Sequence, residues 1–159
     1  MALSVRPSWH APPRLLNLPP APLAELIMAR SWPSLGLFGI FGRSADLRAL
    51  DESLRAAGMH PALAPEAVKI AALNLVKEAA GEEPAPADYR HAAALLAYCA
   101  LGPAVFAEAN GVSAAEAAGR RIEAALEAGE GPDANLILLT LHSAIMHPGL
   151  KEAYELECE

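Results

Sequence analysis

The chain has 159 residues, of which 53% are hydrophobic and 19% charged, and this composition is too apolar for an intrinsically disordered protein. Its uncharged apolar stretches stop short of the roughly 20 residues that a membrane span needs, so we expect a soluble globular protein without such a span. The net charge is −7 and the arginines are scattered along the chain, which argues against nucleic-acid binding.

The N-terminal segment is rich in proline, since residues 1–22 hold six of the 14 prolines in the chain. Proline favours an extended, polyproline-like conformation over packing within a core. We therefore predict an extended arm over residues 1–22, which either lies across a partner subunit or frays as a chain terminus. The segment also lacks the continuous apolar region and the cleavage motif of an export signal.

A helical domain is predicted to follow, over residues 23–159. Its first helix should run from Pro22 to the residue before Pro33, because Leu23, Leu26 and Ile27 share one side and a residue preceding proline avoids the helical conformation.

The aromatic-glycine segment, SLGLFGIFGRS at residues 34–44, comes next. Its glycines at 36, 39 and 42 do not have the spacing of a dinucleotide-binding loop, and their density disfavours a helix. The apolar side chains that need burial here lie in the core, over a pocket, against a lipid surface or in a subunit contact. Burial in the domain core is the ordinary interpretation, and among the functional alternatives we favour the subunit contact. The candidate interface residues are Trp32, Leu37, Phe38, Ile40 and Phe41.

The apolar spacing of the remaining chain predicts further helices, each bounded by a cap, a proline or a glycine. Their predicted limits are Ser44 to Gly58, Pro65 to Gly81, Asp88 to Leu101, Ser113 to Gly129 and Asp133 to His147, with a short helix over residues 150–157. Gly102 and Pro103 should bend the chain before one or two further helical turns. No segment alternates in the manner of a strand, so the predicted fold is a single all-α domain of six or seven helices.

The helix caps are predicted from side-chain chemistry. Ser44 and Asp133 are typical N-caps, and Ser113 with Glu116 has the spacing of a capping box. Pro148 and Gly149 should end the helix that begins at Asp133.

The first candidate site is the stretch NLILLTLHSAIM, residues 135–146, within the helix that begins at Asp133. On a helical projection His142 falls inside the apolar arc beside Asn135, whereas His147 lies on a polar strip with Thr140. His142 is then either a buried neutral histidine with an ordinary hydrogen bond or a functional group that meets another helix. His147 is interpreted as a helix-end residue.

The second candidate site is one face of the helix DYRHAAALLAYCALG, which gathers Asp88, His91, Tyr98 and Cys99. Asp88 can orient His91 one turn on, but His91 and Cys99 are roughly 12 Å apart along the axis, too far for a direct proton transfer. A Cys-His pair would need His142 or His60 to approach from elsewhere. The competing interpretation makes Asp88 a cap, Cys99 a small buried side chain and Tyr98 an interface residue.

The stretch AYCALGPAVFAEANGVSAAEAAGRRIEAAL, residues 97–126, resembles the alkylhydroperoxidase-D-like or carboxymuconolactone decarboxylase-like helical family. In that family a cysteine-bearing helix leads through a Gly-hydrophobic-Ser turn into a capped helix. The redox members carry Cys-x-x-Cys followed by histidine, and here only Cys99 stands at the place of the second thiol. The resemblance therefore implies a helical fold without the dithiol chemistry.

Two functions remain open from the sequence. The first is a small helical module that acts by protein association, as a homodimer or an accessory subunit. The second is an enzyme or ligand-binding protein with a His/Tyr/Cys pocket between the two candidate helices. The cysteines, Cys99 and Cys158, have no metal-site spacing and indicate a reduced, cytoplasmic protein, and no cofactor is identified.

Overall fold

A computed structural model describes residues 44–81 and 83–157 of the protein. Over these residues the chain forms helices and no strand, which confirms the all-α prediction. The helices are α1 (Ala45–Ala56), α2 (Glu66–Ala80), α3 (Pro86–Asn110), α4 (Val112–Ala128), α5 (Pro132–His142) and α6 (Pro148–Ala153), with a 3-10 turn at Pro61–Leu63. The predicted arm, the helix from Pro22 and the candidate interface residues lie outside the described residues.

Helix α1 begins and ends where the sequence indicates. The Ser44 hydroxyl accepts a hydrogen bond from the Leu47 N–H at 3.2 Å, which satisfies one of the free donors of the first turn. The apolar face that includes Leu50 and Leu54 is buried. Gly58 adopts φ 82° just after the helix, a conformation that favours glycine.

A buried ion pair joins α1 to α2. The Lys69 ammonium donates to the Asp51 carboxylate at 3.0 Å, and both side chains are only 4% exposed. Burying two charges is costly unless they are paired, so each residue requires the other. Apolar spacing does not predict this pair, because its two polar residues are 18 positions apart in the sequence.

Helix α1 runs alongside α3 in the same direction. Near the start of both helices, the Tyr89 hydroxyl donates to Asp46 at 2.8 Å. Near their ends, the Asn110 side-chain amide donates to the Ala57 carbonyl at 2.8 Å. Ser44, where the described part of the chain begins, therefore lies close to the N-terminal end of α3.

Asp46 connects three helices, because its carboxylate also pairs with Lys77 of α2. The hydrogen bonds from Lys77 and Tyr89 lower the pKa of Asp46 below its ordinary value of 3.8. Burial, followed by the hydrogen bond to Asp46, raises the pKa of Tyr89 to about 12. The folded state thus prefers an ionised Asp46 and a neutral Tyr89.

These two shifts predict opposite pH dependences for the free energy of unfolding. Asp46 stabilises the fold above pH 3.8, and this contribution is lost as the pH falls through the lower pKa of the folded state. Tyr89 stabilises the fold up to its ordinary pKa of 10.0, and this contribution is lost as the pH rises towards about 12. Urea unfolding at a series of pH values measures this. The difference in free energy of unfolding between wild type and Asp46→Asn should shrink in acid. The corresponding difference between wild type and Tyr89→Phe should shrink in alkali. Differences that stay constant with pH would contradict this assignment.

Helix α3 lies at the centre of the fold and packs against the other five described helices, α1, α2, α4, α5 and α6. Gly102 interrupts it with φ 81° and ψ 167°, immediately before Pro103, as the sequence predicts. By length and apolar composition α3 could cross a membrane, but half of its most apolar stretch is buried in the domain. A core helix of a globular domain can have the same length and composition, and α3 packs on five other helices as such a helix does.

Two predicted N-terminal caps are wrong. Helix α4 begins at Val112 after Gly111, and no side chain caps it, so Ser113 and Glu116 form no capping box. Helix α5 begins at Pro132 after Gly131, which places Asp133 inside the first turn. In both cases a glycine with positive φ allows the chain to turn sharply, and the helix starts earlier than the capping residue.

The end of α5 and the orientation of His142 also differ from the prediction. The helix stops at His142, Ala144 adopts φ 60°, and Pro148 begins α6 instead of ending α5. Because α5 packs against α2, α3 and α4, most of its circumference is buried and only a narrow strip remains outside. His142 lies on that strip and is exposed, whereas Thr140 is fully buried.

Candidate functional site

The structure does not gather the six candidate pocket residues into one site. Asp88 and His91 line one cavity, Tyr98 lines another, and neither cavity contains the remaining three residues. Cys99 is fully buried, Asn135 is partly buried and His142 is exposed.

Cys99 lies in the core, next to Tyr98 on α3, and lines neither cavity. Burial raises the pKa of its thiol to about 12, and the hydrogen-bonding contact with Thr140 offsets only part of that effect. The nucleophile in cysteine chemistry is the thiolate, and Cys99 remains a thiol at neutral pH. The Nδ1 atoms of His60 and His147 accept hydrogen bonds from the backbone N–H groups of Ala62 and Gly149. The His142 side chain is exposed.

We therefore expect Cys99 in the native protein to resist alkylation by iodoacetamide at neutral and mildly alkaline pH. The reason is that the sulfur is inaccessible and protonated. Peptide mass spectrometry after timed labelling measures this directly, and labelling in concentrated urea is the control that must modify Cys99. Rapid modification of Cys99 in the folded protein would contradict the buried position.

Asp88 acts as a helix cap. Its carboxylate accepts a hydrogen bond from the Ala85 N–H at 2.7 Å, which agrees with the capping interpretation and not with a role in orienting His91. His91 has an exposed side chain, and its Nε2 lies 3.6 Å from Asp133. Both residues line a cavity of about 110 Å³ whose other walls come from α2 and α5.

Asp133 instead pairs with Arg121, a residue that the sequence analysis did not select. The guanidinium of Arg121 donates to both carboxylate oxygens, at 3.0 and 2.9 Å, and also to the His91 carbonyl at 3.0 Å. This planar, bidentate geometry is the strong form of an arginine–carboxylate pair. It joins α3, α4 and α5, and so leaves the carboxylate of Asp133 committed to a structural contact.

The kink in α3 positions the C-terminal helix. In an unbroken helix the Cys99 carbonyl would accept from the N–H of residue 103, but Pro103 has none. The His147 N–H takes its place at 2.8 Å, which satisfies the buried carbonyl. The His147 ring lies against Gly102, where a Cβ atom would be 2.8 Å from its Cγ. The proline and glycine of the kink thus fix the start of α6.

An open cleft of about 620 Å³ lies beside this kink, and we call it the Tyr98 cleft. Its walls are the second half of α3, the outer face of α4 and the residue that follows α6. Most of the lining side chains are small or apolar, with three charged residues from α4. The lining residues are Tyr98, Pro103, Ala104, Ala107, Val112, Ala115, Glu116, Gly119, Arg120, Glu123 and Tyr154.

The two tyrosines of the Tyr98 cleft remain neutral over the physiological range. Burial raises the pKa of both phenols, with a smaller contribution from Glu123, and that of Tyr154 reaches about 12. The Tyr98 ring also packs edge to face on Phe106, with centroids 5.4 Å apart. Gly119 lets α4 approach Tyr98 closely, because a Cβ atom there would be 3.3 Å from the hydroxyl.

The described residues contain neither a metal-binding cluster nor a buried polar side chain without a partner. No group of three or more His, Cys, Asp or Glu side chains is placed to hold a metal ion there. In the same part of the chain, no buried side-chain nitrogen or oxygen lacks a hydrogen-bond partner. The Tyr98 cleft offers apolar surface, two phenols and a charged rim.

No family model, curated protein or solved structure matches this chain. No family model therefore supports the resemblance of residues 97–126 to the alkylhydroperoxidase-D-like family. The Gly-hydrophobic-Ser turn of that stretch, Gly111 to Ser113, forms a glycine link between α3 and α4 without a serine cap.

Proposed function

We propose that the protein acts by association, as a homodimer. The observation that supports this most directly is the Tyr98 cleft, which is open and has small side chains on its floor. Val112 stands at its edge and is 67% exposed. Large exposed apolar side chains beside a concave surface are typical of binding sites for another polypeptide.

The competing proposal, an enzyme with a His/Tyr/Cys pocket, has weaker support. Its imidazole, phenol and thiol stand in three separate environments: His91 at the α2–α5 cavity, Tyr98 in its cleft and Cys99 in the core. A nucleophile needs a base within hydrogen-bonding reach, and among the described residues these groups form no such pair.

The test is the mass of the full chain in solution. Light scattering at micromolar concentration should give the mass of a dimer. Ala104→Arg, which places a long cation on the exposed floor of the Tyr98 cleft, should weaken the dimer by about tenfold or more because the charge would be desolvated in the interface.

The matched control is Ala56→Arg, the same substitution at an exposed helical alanine outside the cleft. This variant should remain dimeric. A monomeric wild-type chain would overturn the proposal, as would equal effects of the two substitutions on dimer mass.

A further inference from the structure

Charge and aromatic residues are unevenly divided along the chain. Residues 1–43 contain four arginines and one glutamate, a net charge of +3, whereas residues 44–159 contain eight basic and eighteen acidic residues, a net charge of −10. Both tryptophans and two of the three phenylalanines also precede Ser44. A cationic, aromatic segment is thus attached to an acidic helical domain, and opposite charges of this kind favour association.

The Tyr98 cleft has the features that such a segment requires. Its floor includes Ala104, Ala107 and Gly119, whose small size lets a second backbone approach closely and leaves room for aromatic rings. The exposed carboxylates of Glu116 and Glu123 stand on its rim. They outnumber the single cation there, so the rim carries a net negative charge.

We propose that the Tyr98 cleft receives residues 34–43 of a second copy of this chain, an inference that rests on the dimer proposed above. The rings of Phe38 and Phe41 occupy the small-residue floor, and Arg43 faces the rim carboxylates. Glycines at 36, 39 and 42 keep the backbone of the segment free of side chains at every third position, which permits close contact with the floor.

Chain length favours a second copy over the same copy. Residues 34–43 are followed by Ser44, which lies near the start of α3, where Asp46 contacts Tyr89. From Tyr89 to Pro103, at the middle of the cleft, α3 rises about 21 Å. A fully extended chain carries Phe41 only about 10 Å away from Ser44. Phe41 therefore stops well short of the middle of the cleft in its own domain, whereas the corresponding residue of a dimer partner is not held at that distance.

Cysteine cross-linking separates these arrangements. We would prepare Phe38→Cys and Ala104→Cys as separate chains in a Cys158→Ser background, mix them and oxidise gently. The expected product is a disulfide-linked dimer that contains one chain of each kind, because the two positions face each other across the interface. The control pairs Phe38→Cys with Ala56→Cys, an exposed position outside the cleft, and should give little cross-linked dimer.

Each outcome has a definite meaning. Absence of the mixed disulfide in a chain that light scattering shows to be dimeric would overturn this inference and leave the dimer standing. A monomeric chain would overturn both. A cross-link that forms only within one molecule, in the double variant Phe38→Cys/Ala104→Cys, would place the segment on its own domain and also overturn the inference.

Charge reversal provides a second measurement. Glu116→Arg with Glu123→Arg should weaken the dimer by about tenfold, and adding Arg43→Glu should restore most of the affinity because the ion pairs re-form with opposite sign. Glu127→Arg, on the same helix but outside the cleft lining, is the control and should have little effect. Absence of rescue by Arg43→Glu would contradict the proposed position of Arg43.

Discussion

Lys69→Met should lower the free energy of unfolding by about 3–5 kcal/mol, the cost of removing one partner of a buried ion pair. Methionine matches the length of lysine but cannot pair with Asp51, so the carboxylate would stay in the core without the ammonium that lies 3.0 Å away. Urea denaturation followed by circular dichroism measures the change.

Two companion variants isolate the cause. Lys77→Met breaks an ion pair whose lysine side chain is 42% exposed, so it should cost less than about 1 kcal/mol. Adding Asp51→Asn to Lys69→Met removes the buried charge and should recover part of the loss. If the two lysine variants had equal stability, burial would not explain the contribution of the Asp51–Lys69 pair to the free energy of unfolding.

The sequence predicted those parts of the fold that depend on local patterns. Leu47, Leu50 and Leu54 are buried as their spacing requires, and Ser44 caps α1. The kink at Gly102 follows directly from a glycine and a proline in succession. Local chemistry determines such features, so one segment of sequence is sufficient to identify them.

Features that depend on contacts between helices were not predictable in the same way. The apolar arc of α5 is so broad that its centre is poorly defined, and packing on three neighbouring helices placed Thr140 inside and His142 outside. The contacts of Arg121 could not be predicted from local sequence, because its partners, Asp133 and the His91 carbonyl, belong to other helices. The Asp88–His91–Tyr98–Cys99 face was divided between two cavities and the core for the same reason.

Gly102→Ala should lower the free energy of unfolding by about 3 kcal/mol, since the backbone at this position suits glycine alone. With φ 81° and ψ 167°, any other residue is strained, and the new Cβ atom would lie 2.8 Å from the His147 ring. Displacing His147 would also deprive the Cys99 carbonyl of its hydrogen bond. Thermal and urea unfolding should both detect the loss.

Gly111→Ala is a matched control, because Gly111 has a similar conformation, φ 89° and ψ 157°, with nothing within 4 Å of the added Cβ atom. It carries the backbone strain without the contact and should lower the free energy of unfolding by about 2 kcal/mol or less.

Gly102→Ala should in addition weaken the dimer, because His147 holds α6 and hence Tyr154 at the wall of the Tyr98 cleft. Equal losses in stability and in dimer affinity for the two glycine variants would show that the Gly102–His147 contact neither stabilises the fold nor shapes the cleft.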